Sequence, residues 1–96
     1  MPSYVLASIA TINDPVRYED YRRLVTPTLV KYGGRFIVRG GTVDVLEGDW
    51  RPGRLVIIEF PSAERARAWY NSPEYTEAKV IRQATSEGTL LIVEGV

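Results

Sequence analysis

Residues 54–73 read Arg54-Leu55-Val56-Ile57-Ile58-Glu59-Phe60-Pro61-Ser62-Ala63-Glu64-Arg65-Ala66-Arg67-Ala68-Trp69-Tyr70-Asn71-Ser72-Pro73. The first seven are an apolar, partly β-branched run and predict a strand over 54–60. Pro61-Ser62 stops it and opens a short helix. Ser62 serves as its cap, and Ala63, Ala66, Trp69 and Tyr70 share its inward side. Asn71-Ser72-Pro73 breaks this helix, and Ser72 caps a further helical piece over 73–84. The strand lacks the alternation of a half-solvated sheet. Leu55, Ile57 and Glu59 point one way and Val56, Ile58 and Phe60 the other, so both faces are largely apolar.

Working outward, residues 4–11 predict a first strand. Asn13-Asp14-Pro15 follows as a helix start, with Asp14 as cap and Pro15 at the first helical position. Tyr18, Tyr21, Leu24, Val25, Leu29 and Tyr32 recur at helical spacing, with Glu19, Asp20, Arg22 and Arg23 expected on the other side. Pro27 is expected to kink this helix near residue 24. Gly33-Gly34 ends it. Residues 35–39 predict a second strand, interrupted at Gly40-Gly41 by a bulge or a close backbone approach and resuming through Val43, Val45 and Leu46. Glu47–Gly53 reads as the hairpin loop, and residues 88–95 as the last strand. The order is β-α-β-β-α-β with a broken second helix. That is a ferredoxin-like α+β fold, a four-stranded antiparallel sheet with helices on one face. One domain is expected over 1–96.

Such a sheet has a second face. Leu90 and Ile92 oppose Leu91 and Val93, so the last strand is also apolar on both sides. Four strands of about six residues present roughly 400 Å² per face, an unusual apolar area to leave in water. A homodimer joined through the sheet faces is the expected cover. The alternative is that the third helical piece wraps over it.

The 12 basic and 12 acidic side chains cancel, and the chain contains no Cys and no His. No nucleic-acid or anionic-membrane partner is expected from that balance. Disulfides, thiolate nucleophiles, zinc fingers, iron–sulfur ligation, His-ligated haem and triads with a His base are removed. No resident cofactor or metal is expected. The apolar start Tyr4–Ala10 is short and no Lys or Arg precedes it, unlike a signal peptide. No run approaches the roughly 20 apolar residues of a membrane span. Cytoplasm is the default location.

Glu59 stands out among the candidate site residues. It ends an apolar strand, where a carboxylate resists ionisation unless a cation meets it. Pairing the hairpin about its loop puts Gly40-Gly41 roughly opposite Glu59-Phe60, leaving space beside the carboxylate for a substrate. Glu59 is then either a base beside a pocket or half of an ion pair with an Arg. Tyr75, Lys79 and Arg82 share one helical face. They either hold an anion or form a solvated face whose Arg pairs with Glu59. Trp69, Tyr70 and Tyr75 are either core or a platform for a cofactor, and core is the commoner role for aromatics at that density. Trp50, in the hairpin loop, either closes over a pocket or seals a dimer edge.

Gly33-Gly34-Arg35-Phe36, Gly40-Gly41, Leu46-Glu47-Gly48, Glu59-Phe60-Pro61-Ser62, Trp69-Tyr70-Asn71-Ser72-Pro73-Glu74-Tyr75, Arg82 and Val93-Glu94-Gly95 together resemble the small bacterial domain-of-unknown-function 1330 family. The resemblance spans nearly the whole chain, and its Trp-Tyr-Asn-Ser-Pro-Glu-Tyr stretch is specific. It implies the dimeric α+β barrel superfamily, in which two ferredoxin-like protomers pack sheet to sheet. That superfamily includes cofactor-free monooxygenases, isomerases, cyclases, haem-degrading enzymes and ligand-sensing domains, so it names no reaction. Two functions are expected from the residues. One is a cofactor-free enzyme acting on a small carbonyl or aromatic compound by proton transfer. Glu59 is its base, Arg82 and Tyr75 stabilise the anion, and Gly40, Gly41, Trp69 and Lys79 contact the substrate. The other is a non-catalytic homodimer with a small-molecule-binding, structural or regulatory role.

Overall fold

A computed structural model describes residues 1–96. The chain runs β1 (Ser3–Ile12), α1 (Pro15–Val30), β2 (Arg35–Arg39), β3 (Arg54–Phe60), α2 (Ala63–Tyr70), α3 (Pro73–Thr85) and β4 (Ser86–Glu94). The strands form one antiparallel sheet in the order β2-β3-β1-β4. This is the α+β fold that the element order predicts, with the second helix broken at Asn71-Ser72.

Local signals set the helix ends. Asp14 accepts a hydrogen bond from the Arg17 N–H, Ser62 from Arg65 and Ser72 from Tyr75. Gly33 takes φ +75° and lets α1 close: the Gly34 N–H donates to the Leu29 carbonyl. Helix α1 runs as one element through Pro27. Helix α3 leads directly into β4, which begins at Ser86, two residues earlier than expected.

The hairpin between β2 and β3 differs from the sequence expectation. Strand β2 stops at Arg39, and residues 40–53 form no strand. Gly40 adopts φ +73°, outside extended geometry, and turns the chain away from the ladder. The ladder irregularity falls a few residues earlier, between Phe36 and Val38, and a second one lies between Ile9 and Thr11 of β1. The longer loop moves the register. Arg35 now lies opposite Glu59, while Gly40 donates its N–H to Leu55, near the far end of β3.

All three helices contribute to one side of the sheet. Val5, Ala7 and Ile9 of β1 and Val56, Ile58 and Phe60 of β3 meet Tyr18, Tyr21, Val25 and Leu29 of α1, with Ala66, Trp69, Tyr75 and Ala78 completing the cluster. Each fully buried large side chain there contributes roughly 1.5–3 kcal/mol by leaving water. Tyr75 and Ala78 lie in this core, so α3 packs on the same side as the others and does not wrap the opposite face.

The other sheet face has no cover within the chain. A cross-strand row of Val38, Ile57, Leu6 and Leu91 runs across its middle, flanked by Leu55 and Val93. Leu91 is 43% and Val93 48% exposed. The molecule is a two-layer slab of 36 × 35 × 16 Å. Its surface of 6050 Å² exceeds by about 500 Å² what a compact monomer of this mass exposes.

Candidate functional site: an arginine-rimmed recess

On the helix side, between α1 and the sheet, the core is incompletely filled. A recess lies there with about 30 Å³ of enclosed cavity, within about 430 Å³ of empty space that includes open solvent. The cavity alone has room for one or two waters. Val5, Ala7, Val25, Val56, Ile58 and Trp69 give it an apolar floor. Its polar lining is unusual: Arg22 of α1, Arg39 of β2, Arg54 of β3 and Arg82 of α3, with Tyr18 and Tyr21. No Asp or Glu lines it.

Alternation explains how arginines reach this side. Arg54 has the same strand parity as Val56, Ile58 and Phe60, all buried against the helices. Arg39 lies opposite Val56 in the ladder. Its guanidinium stacks 4.2 Å from the Phe36 ring centre, and Nη2 donates to the Arg22 carbonyl at 3.1 Å. On α1, Tyr18, Tyr21, Arg22 and Val25 follow at i, i+3, i+4 and i+7, one continuous stripe. Arg22 therefore flanks the inner side, not the outer side where hydropathy alone puts it.

Deeper in, Arg82 Nε donates to the Tyr75 hydroxyl at 3.2 Å, and that hydroxyl lies 3.1 Å from the Tyr21 hydroxyl. Tyr75 is wholly buried and packs on Trp69 with ring centres 4.0 Å apart. The Trp69 indole N–H donates to Thr28 Oγ1 at 2.9 Å. Burial first, then the adjacent Tyr75 hydroxyl, pushes the Tyr21 phenol far above its ordinary range, so it stays protonated. Burial raises Tyr18 as well, opposed by the guanidiniums of Arg54, Arg22 and Arg82. Burial works against the charge on Arg82, but the oxygens of Tyr75 and Tyr21 outweigh it, and Arg82 is held above its usual value.

The expected residues therefore separate. Tyr75, Arg82 and Trp69 do come together, around the recess. Glu59 does not join them. It points to the opposite, open face of the sheet and is met there by Arg35, whose Nε donates at 2.8 Å and whose Nη2 lies 2.7 Å away. The expected approach of Arg82 to Glu59 is thus corrected: the sheet stands between them. Gly40 and Gly41 do not floor a space beside Glu59, because the register carries them toward Leu55. A Cβ at Gly40 would sit 2.8 Å from Arg54 Cζ, so the bare position is occupied by the Arg54 guanidinium. Gly41 faces open space. Lys79 lies outside the recess, with Nζ 4.0 Å from the Tyr70 ring centre. Trp50 is 61% exposed in the loop.

Arg22, Arg39, Arg54, Tyr18 and Tyr21 were not singled out from the sequence. The parity of Arg54 and the Tyr18-Tyr21-Arg22-Val25 stripe were the available signals. The convergence of four elements was not legible in either.

The fold and recess define the class: a small α+β protein with a two-layer sheet-and-helix body and a cleft on the helix side. The chain belongs to the family described as Domain of unknown function (DUF1330), whose model matches residues 2–96. No functionally curated protein matches it. Among solved structures it is similar to the RPA0582 protein of unknown function from Rhodopseudomonas palustris, at 22% identity and TM-score 0.78, covering 99% of this chain and 82% of that one. Methylated RPA0582 superposes similarly, at 22% identity and TM-score 0.79, over 99% and 81% of the two chains. SnoaB, a cofactor-independent oxygenase from Streptomyces nogalater, aligns at 12% identity and TM-score 0.62 over 99% of this chain and 92% of that one. At these identities the likeness concerns the fold. No helix is long and apolar enough to cross a membrane.

Proposed function

We propose that this chain binds a small carbonyl or aromatic compound in the helix-side recess and stabilises its enolate or phenolate form without a cofactor. The observation that carries this reading is the Arg82–Tyr75–Tyr21 chain beside an apolar floor. A permanent cation backed by phenols is suited to a developing oxyanion in a water-poor site. Arg82 is the charge partner, and Tyr21 the neutral donor. Tyr75 holds both in place, and Trp69 stacks behind them. Glu59 has no part in this reading, because no path joins it to the recess. With no carboxylate or imidazole in the lining, the proton leaves to water at the mouth, and the protein's contribution is anion stabilisation. Cofactor-independent chemistry on this fold has a precedent in SnoaB, whose likeness supports the scaffold and not the reaction.

The same reading includes a homodimer through the open sheet face. The uncovered row from Val38 to Leu91 and the excess surface of the single chain support it.

Trp69 is a built-in reporter. In a Trp50→Phe background it is the sole tryptophan. Titration with 4-hydroxyacetophenone is expected to change its emission saturably, and the bound phenol should ionise at lower pH than the free one. In Arg82→Met the lowered ionisation pH should be lost. Absence of any saturable response at millimolar probe would overturn the reading.

A further inference from the structure

We infer that the recess is built for a ligand that already carries a carboxylate on an apolar or aromatic body, held by the guanidiniums of Arg22 and Arg54 at its rim. This deepens, and rests on, the reading of the recess as the ligand site.

The argument begins with charge. The whole chain is neutral, yet four of its twelve basic side chains converge on one recess from four different elements. No acidic side chain lines that recess, and of the four only Arg22 has a carboxylate partner, Glu19, outside it. Like charges gathered around an apolar floor repel more strongly than in water, so a missing anion is the simplest complement.

Hydrogen bonding gives an independent reason. The Nε atoms of Arg22 and Arg54 are buried and have no partner, while buried polar groups are ordinarily satisfied. Arg22 Nη1 is occupied outside by Glu19 at 2.8 Å, and Arg39 is tied to the Arg22 carbonyl and the Phe36 ring. Arg82 is engaged by Tyr75. The buried donors left without a partner are therefore the Nε atoms of Arg22 and Arg54, and the Tyr18 hydroxyl lies beside the Arg54 guanidinium. A guanidinium offers Nε and one Nη as a fork that matches the two oxygens of a carboxylate.

The backbone is adapted to this arrangement as well. Gly40, in a left-handed conformation and without a Cβ, vacates the space that the Arg54 guanidinium fills. The recess thus divides by chemistry. The wider recess above the apolar floor takes a ring or short aliphatic body, its rim takes a carboxylate, and Arg82 with the tyrosines meets a second oxygen. A hydroxy- or keto-substituted aromatic acid has this shape.

The experiment compares 4-hydroxybenzoate with its neutral amide, 4-hydroxybenzamide, and with inorganic phosphate. It uses the full chain in the Trp50→Phe background, with calorimetry and Trp69 emission as readouts. The acid is expected to bind at least about tenfold more tightly than the amide. Arg54→Gln and, separately, Arg22→Gln should each weaken the acid about tenfold while leaving the amide within about twofold. Circular dichroism identifies any variant that fails to fold, and the remaining one then decides. Equal affinity for acid and amide would overturn the carboxylate inference and leave the recess reading standing. Phosphate binding as tightly as the acid would overturn it too, since the apolar body would then contribute nothing. If none of the three binds, the reading of the recess fails with it.

Discussion

Glu59 and Arg35 face each other across the β2–β3 ladder and form an ion pair on the open face of the sheet, with Arg35 Nε 2.8 Å from Glu59 Oε1. In the single chain the pair is partly solvated and contributes little. Covered by a second copy, it becomes a buried pair at the edge of an apolar interface. Loss of one partner there leaves the other charge uncompensated. Glu59→Gln is therefore expected to weaken self-association by about tenfold or more, close to 1.4 kcal/mol. Ligand affinity in the recess should stay unchanged. Sedimentation equilibrium alongside fluorescence titration measures both, and a loss of ligand binding with an intact dimer would contradict the placement.

The centre of the open face makes a sharper test. Leu91 is 43% exposed in the single chain and lies beside Leu6 in the register. A Lys there is readily solvated in a monomer and costly in a sheet-to-sheet interface. Light scattering of Leu91→Lys should give the chain mass of 10.8 kDa with an unchanged circular dichroism spectrum, while the parent gives twice that mass. A parent that runs as a monomer at micromolar concentration refutes the dimer.

Trp69 depends on Thr28 for the partner of its buried N–H, at 2.9 Å. Thr28→Val keeps the shape and removes the acceptor. It should destabilise the fold by about 1–3 kcal/mol, the cost of an unsatisfied buried donor. Urea unfolding with an unchanged slope checks this, and an effect near zero would mean that water replaces the hydroxyl.

The two adjacent glycines are expected to differ. Gly40 has φ +73° and gives its space to Arg54, whereas Gly41 has neither a positive φ nor a neighbour within 4 Å of an added Cβ. Gly40→Ala should cost about 1–2 kcal/mol of backbone strain and reduce 4-hydroxybenzoate affinity by displacing the guanidinium. Gly41→Ala should leave both unchanged. Identical behaviour of the two variants would sink the assignment of Gly40 as the seat of Arg54.

Glu74 at the start of α3 accepts hydrogen bonds from Lys31 Nζ at 2.9 Å and the Tyr32 hydroxyl at 2.8 Å, tying α3 to the end of α1. The bond from Lys31 first, then those from its own backbone N–H and Tyr32, lowers its pKa to about 2. A lowered folded-state value means that the contribution is fully present above the ordinary carboxylate range. It fades as pH falls from about 4.5 toward 2. Stability of the parent should decline across that window more steeply than that of Glu74→Gln, as read by thermal unfolding at a series of pH values. Parallel curves would show that the contact adds nothing.

The sequence determined the elements and their order because those depend on local chemistry. Asp14, Ser62 and Ser72 cap helices with their own side chains, Pro61 and Gly33 interrupt regular hydrogen bonding, and the apolar, β-branched run Leu55–Ile58 forms a strand. The same local rules placed Tyr75 and Arg82 on one side of α3. What only the tertiary structure decided was the register and the convergence. A φ of +73° at Gly40 ends β2 at Arg39, and the lengthened loop then brings Arg35, not the glycines, to Glu59. A strand's side chains alternate between two faces, so Glu59 and Arg82 were separated by the thickness of the sheet, which no spacing along the chain records. The recess needs Arg22, Arg39, Arg54 and Arg82 from four elements at once. Each is an ordinary surface-type residue in its own segment, and only packing α1 against the sheet turns the four into a single positively charged rim over an apolar floor.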